Sequence, residues 1–246
     1  LLLGCSYTFG YLVAADYSFS SVLSRLTKRA TYNWGQIGSN IVSSLMLLKA
    51  EEIKPILPQK PQYIIYTYMF DHLAPYRFLN QIYYNTYRQN HYIPFQKYSI
   101  FDNLYTVMHI KNVELSKYLY DDDNYEKRLK LFFSILKDVK KQTDKLYPDS
   151  KFVFLIYSDI NHDLNDELIK SNISSIDKAF EIMNSKSFKE SIEEMGITVI
   201  TTEELIGRKM NKPQDRISKE IDSNYPHPGD GVWEEVVPAL IKRINL

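Results

Sequence analysis

Leu1-Leu2-Leu3-Gly4-Cys5-Ser6-Tyr7-Thr8-Phe9-Gly10 is the stretch from which the fold can be read. Three branched apolar residues run into a glycine, a serine follows, and a second glycine closes the segment. A short apolar run ended by small residues reads as a buried strand feeding a tight turn. Such a turn presents Ser6 at the carboxyl end of a strand, where open α/β sheets gather their chemistry. A serine acts as a nucleophile only with a base, a group that orients the base, and donors for the developing oxyanion.

The chain downstream repeats the strand-to-helix pattern. Asp16 to Arg29 sets Phe19, Val22, Leu23 and Leu26 at helical spacing, with Asp16 or Ser18 as the cap. Thr31 to Trp34 is a short β-prone piece, and the turn Asn33 to Asn40 leads to a helix facing Ile41, Leu45 and Leu48 inward. Tyr63 to Tyr68, Lys151 to Tyr157 and Ile197 to Thr201 read as further strands by their β-branched and aromatic content. Between them lie an apolar stripe through Leu129, Phe132, Phe133, Leu136, Val139 and Leu146, and one or two further helices outlined by Ile173, Ile176, Phe180, Met183, Phe188 and Ile192. Thr201 and Glu204 have the spacing of a capping box. A last helix carries Val232, Trp233, Val236, Val237, Leu240, Ile241 and Ile244 on one face.

Strands with near-continuous apolar runs, alternating with helices, predict a parallel sheet covered on both faces. The expected class is α/β: a three-layer αβα, flavodoxin-like sheet of about five strands. A Tyr-rich insertion follows the third strand. One domain is expected over 1–246, with 74–123 as an insertion or lid. Ten of the 20 tyrosines fall between Tyr76 and Tyr125, about a fifth of the length. Tyrosines there suit stacking on sugar rings at a wet surface, or equally a small auxiliary core.

Composition narrows the partners. Thirty basic and 30 acidic residues give a formal net charge of +0, without the basic excess of a nucleic-acid footprint. No apolar run approaches the roughly 18 residues that span a bilayer. Cys5 is the one cysteine, which excludes an intramolecular disulfide framework and leans toward the cytoplasm for the visible chain. An amino-terminal segment upstream of Leu1 would make export the alternative. Cys5, placed before the turn, is expected to be an inert buried thiol. Asp159, Asn161, His162 and Asp163 have metal-ligand residue types, but one compact group reads as a polar loop, and no metal or cofactor is expected.

A base for Ser6 is available far away in sequence. His227 sits in Tyr225-Pro226-His227-Pro228-Gly229-Asp230-Gly231, just before the last helix. With Gly4 to Gly10, these residues resemble the SGNH (GDSL-type) hydrolases, whose first block reads Gly-Asp-Ser-x-Thr-x-Gly. Cys5 stands in place of the aspartate. Asn33 to Gly38 resembles the second block, and Asp222 to Gly231 the last.

The resemblance implies a role for each matching position. Ser6 would be the nucleophile, His227 the base and Asp222 the group orienting it. Asn224 is the alternative orienter, since it lies three residues before the histidine where the family usually has aspartate, whereas Asp222 lies five before. The backbone N–H groups of Ser6 and Gly38 would hold the oxyanion. The third block departs from the pattern: Phe70 stands where the family places an asparagine whose amide donates to the oxyanion. His72, two residues on, is the expected substitute. Asn224, Asp71 and Tyr68 are the expected substrate contacts.

The implied function is a serine esterase removing a small, acetyl-like acyl group, with a carbohydrate as the leading substrate class. An acyltransferase on the same scaffold is one alternative. A catalytically silent module that binds a glycan or a protein is the other, kept open by Phe70 and the spacing of Asp222.

Overall fold

The computed structural model describes residues 1–37, 39–49, 57, 59–69, 72, 125–158, 181–210, 215 and 227–246. The expected insertion at 74–123, the Asp159 to Asp163 loop and the helical positions Ile173, Ile176 and Phe180 lie outside these residues. The described strands are β1 (Leu2–Gly4), β2 (Tyr63–Tyr68), β3 (Lys151–Ile156) and β4 (Thr198–Thr201), all parallel and in the order β1-β2-β3-β4. β2 is buried along its whole length and β3 everywhere but Lys151, as a sheet covered on both faces requires.

The expected strand at Thr31 to Trp34 is reduced to one parallel bridge, Leu2 with Asn33. Even so, it extends the sheet past β1. The Leu2 N–H donates to the Tyr32 carbonyl at 2.8 Å, and the Trp34 and Gln36 N–H groups donate to Leu2 and Gly4 carbonyls at 2.9 and 3.1 Å. Counting this segment as second in the chain, the spatial order is second, first, third, fourth, fifth. That is the flavodoxin-like order, and its switch point lies between β1 and β2. Ser6 follows β1 directly.

Helices cover both faces: α1 (Ser6–Phe9), α2 (Phe19–Thr27), α3 (Ile41–Lys49), α4 (Tyr125–Leu146), α5 (Lys186–Glu193), α6 (Thr202–Ile206) and α7 (Asp230–Ile244). Strand alternation sorts them. Tyr66 and Tyr68 point to one face, where Tyr68 meets Phe132 of α4 and Phe188 of α5 at ring-centroid distances of 5.4 and 5.6 Å. α3 packs against α4 on that side. On the other face Tyr157 meets Trp233 of α7, and Trp233 stacks on Phe19 of α2 at 4.6 Å with a 7° interplanar angle. First and last helices on one side, middle helices on the other, is the outcome of right-handed crossovers.

Local sequence sets the helix starts. Ser18 caps α2 by accepting from the Ser21 N–H at 3.3 Å, so of the two expected caps the serine is the one used. Asp16 instead lies in a 3₁₀ turn, Ala15–Tyr17. At α6 both halves of the capping box form: Thr201 Oγ1 accepts from the Glu204 N–H at 3.1 Å, and Glu204 Oε2 from the Thr201 N–H at 3.3 Å. Among the described helices none is long and apolar enough to cross a membrane.

Candidate active site

Ser6 is the first residue of α1, directly after the β1 turn, and is 5% exposed. Gly10 ends the helix in the left-handed region, φ +85°, with its N–H on the Ser6 carbonyl at 3.0 Å. Four residues make a weak helix, and the chain holds it from outside. Asn33 Nδ2 donates to the Thr8 carbonyl at 2.8 Å and to Ser20 Oγ at 3.2 Å, while Asn33 Oδ1 accepts from the Gly35 N–H at 2.9 Å. Gly35 then lies flat against α1. A Cβ there would sit 2.6 Å from the Phe9 nitrogen and 2.9 Å from the Thr8 carbonyl carbon. The Asn33-Trp34-Gly35 turn therefore fixes the helix that carries Ser6, a role the sequence reading missed. An Asn two residues before a Gly is the signal of an Asx turn, but not of what the turn touches.

His227 comes from the other end of the chain. Its Nε2 and Ser6 Oγ share a buried hydrogen bond of 3.0 Å across a separation of 221 residues. With the ring proton on Nδ1, the serine hydroxyl is the donor and Nε2 the acceptor, the arrangement a general base needs. The imidazole is 8% exposed, and the rings of Tyr7 and Tyr11 lie 5.2 and 5.1 Å from it. Tyr7 in turn meets Tyr157 edge-on at 4.9 Å, so the serine's neighbour ties the pair to the core.

The loop behind His227 is anchored by a charge cluster. The Gly229 N–H donates to the Asp215 carbonyl at 3.0 Å. The Asp215 carboxylate, 2% exposed, takes two hydrogen bonds of 2.7 Å from the Arg208 guanidinium. Arg208 also donates to both carboxylate oxygens of Glu235 on α7, at 3.0 and 2.5 Å. Its hydrogen bonds to these two carboxylates hold the Arg208 pKa above its ordinary value. One further tie runs from the Ala14 N–H to Asp230 Oδ1 at 3.1 Å, joining the loop after α1 to the start of α7.

The other expected site residues fall differently. His72 is 1% exposed, shares a 2.9 Å hydrogen bond between its Nδ1 and the Tyr66 hydroxyl, and stands edge-on to Tyr68 at 5.4 Å. Tyr68 is fully buried among His72, Phe132, Phe154 and Phe188. Its side chain is part of the core and presents no surface to a substrate, because β2 turns this tyrosine under α4 and α5. Gly38, Phe70, Asp71, Asp222 and Asn224 lie outside the described residues. Cys5 is buried as expected, with its Sγ 3.7 Å from Met69 Sδ.

No family model matches the sequence, and no curated protein matches it. Solved structures do. An extracellular lipase from Streptomyces rimosus superposes with a TM-score of 0.54 at 12% identity, covering 98% of this chain and 97% of the lipase. A lipolytic protein of the G-D-S-L family from Desulfitobacterium hafniense gives a TM-score of 0.51 at 11% identity, over 98% and 96% of the two chains. The fold is that of the SGNH hydrolases. An acetyl xylan esterase from Butyrivibrio proteoclasticus is similar too, with a TM-score of 0.50 at 10% identity, over 99% of this chain and 62% of that one. On the SGNH fold of this chain, Ser6 and His227 meet where the sheet order reverses, above the carboxyl end of β1.

Proposed function

We propose that the protein is a serine ester hydrolase of the SGNH type. The observation that carries this reading is the buried 3.0 Å hydrogen bond between Ser6 Oγ and His227 Nε2 at the carboxyl edge of the sheet. In the proposed reaction His227 takes the Ser6 proton as Oγ attacks the ester carbonyl. The carbonyl π pair moves onto the oxygen, and collapse expels the alcohol, protonated by His227. Water activated by the same imidazole then releases the acid from the acyl-enzyme. The Ser6 and Gly38 N–H groups are the proposed backbone donors to the oxyanion, with Asp222 orienting His227, or Asn224 in its place.

Within that reading we favour a small, acetyl-like acyl group carried by a carbohydrate. Its support is the Tyr-rich composition of 74–123 and the likeness in fold to an acetyl xylan esterase. Turnover of p-nitrophenyl acetate by the wild type, and its loss in Ser6→Ala and His227→Ala, tests the chemistry. Acetate release from acetylated xylan against p-nitrophenyl esters of longer acids tests the substrate class. Preference for the longer acids would discard the carbohydrate reading and keep the hydrolase.

A further inference from the structure

The sequence lacks the third-block asparagine, because Phe70 occupies its place. Another asparagine lies close to the carboxyl end of β1. Asn40 is 1% exposed and stands at the start of α3. Its Oδ1 accepts the Val42 N–H at 2.9 Å, which caps the helix. Its Nδ2 is buried and has no hydrogen-bond partner among the described residues. Serine or threonine would cap this helix without burying an unmet amide, so the cap alone does not account for asparagine here.

Two hydrogen bonds locate the residue. The Ser39 hydroxyl donates to the Gly4 carbonyl at 2.7 Å, and the Gln36 N–H donates to the same oxygen at 3.1 Å. The segment leading into Asn40 is thus laid against the last residue of β1, two positions before Ser6. The amino end of α3 adds its partial positive charge at the same place.

We infer that Asn40 Nδ2 is the side-chain donor to the oxyanion, a role the family pattern gives to a residue this chain lacks. The inference rests on the proposed Ser6–His227 chemistry. As Ser6 Oγ bonds to the carbonyl carbon, the π pair moves to the carbonyl oxygen and the hydroxyl proton to His227 Nε2. The orphan amide N–H meets the charge that develops on that oxygen. His72 is the weaker choice, since its ring stands with Tyr66 and Tyr68 on the helix-covered face of β2.

Two variants separate the amide from the cap. Asn40→Asp keeps an acceptor for the Val42 N–H and removes the donor; Asn40→Ser keeps a cap without placing a charge. Kinetics with p-nitrophenyl acetate, thermal midpoints and fluorophosphonate labelling rates are measured beside Ser6→Ala and His72→Gln. Both Asn40 variants are expected to lose roughly 10²–10³ in kcat, as on removal of one oxyanion donor elsewhere. Asn40→Ser should keep its midpoint near the wild-type value, Asn40→Asp should lose some stability to its buried carboxylate, and His72→Gln should lose less rate than either. Wild-type kcat in both Asn40 variants, with Ser6→Ala inactive, overturns the role of Asn40 alone. Loss in His72→Gln with no loss at Asn40 transfers the role to the histidine. Turnover that survives in Ser6→Ala removes the underlying reading and this one with it.

Discussion

Arg208 holds Asp215 with two hydrogen bonds of 2.7 Å, and the carbonyl of that same aspartate receives the Gly229 N–H two residues beyond His227. The ion pair therefore sits at the foot of the loop that brings the imidazole to Ser6. Arg208→Met would leave the Asp215 carboxylate buried without its guanidinium. Removing one partner of a buried pair costs about 3 kcal/mol. We expect a lower denaturant midpoint and a drop in kcat larger than any change in KM. Arg208→Lys should recover part of the stability and less of the rate, because a lysine cannot reproduce the two-pronged contact. Wild-type kcat in a destabilised Arg208→Met would make the cluster structural only.

Gly35 gives a steric test of how Ser6 is placed. A methyl group there would press on backbone atoms of Thr8 and Phe9, which cannot rotate away. Gly35→Ala should cost about 1–3 kcal/mol by overpacking and displace the helix that starts at Ser6. Reduced fluorophosphonate labelling at a temperature where the variant is still folded is the readout. Gly231→Ala is the control: nothing lies within 4 Å of a Cβ there, so stability should be unchanged or slightly higher.

The capping box makes stability depend on pH in a set direction. Burial pushes the Glu204 carboxyl upward, but hydrogen bonds from Lys189 and the Thr201 N–H, with the lysine's charge, leave it below its ordinary value of 4.5. A carboxylate whose folded pKa is depressed stabilises the fold above its unfolded pKa and loses that contribution as pH falls through the folded one. Thermal midpoints of wild type and Glu204→Gln should differ at pH 7 and draw together as pH falls below the ordinary carboxyl range. A difference that does not shrink as the pH is lowered would show that the charge is not responsible.

Cys5 should behave as core. It is 1% exposed and touches Met69 Sδ, where the family pattern carries an aspartate. A thiol reagent should leave the native protein unmodified and react in denaturant. Cys5→Asp should destabilise by about 2 kcal/mol or more, because the pocket offers an apolar thioether to a new carboxylate. Native reactivity comparable to the denatured chain would contradict this placement.

Much of the architecture is legible in the residues themselves. The apolar runs at Leu1 to Leu3, Tyr63 to Tyr68 and Lys151 to Ile156 are strands, the stripes ending in Phe188 and Ile192 and in Val232 to Ile244 are helices, and Thr201 with Glu204 forms the box its spacing announces. What escaped depends on contacts through space. Tyr68 and His72 sit near the expected third block in sequence, but a strand buried on both faces gives no alternation to tell which side chains face the site. Asn33 reaches Thr8 across 25 residues and Arg208 reaches Glu235 across 27, so no local pattern marks these contacts. The second strand is one bridge whose neighbours Tyr32, Trp34 and Gln36 still hydrogen-bond along β1, while Asn33 and Gly35 pack against α1.

The central claim is that Ser6 is a nucleophile activated by His227. The direct measurement is to treat the native protein with a fluorophosphonate and map the modified residue by peptide mass spectrometry, in wild type, Ser6→Ala and His227→Ala. The account predicts one adduct, on Ser6, absent from Ser6→Ala and slowed by at least about 10²-fold in His227→Ala. A folded wild-type protein that takes no label, or labels equally in Ser6→Ala, would contradict it.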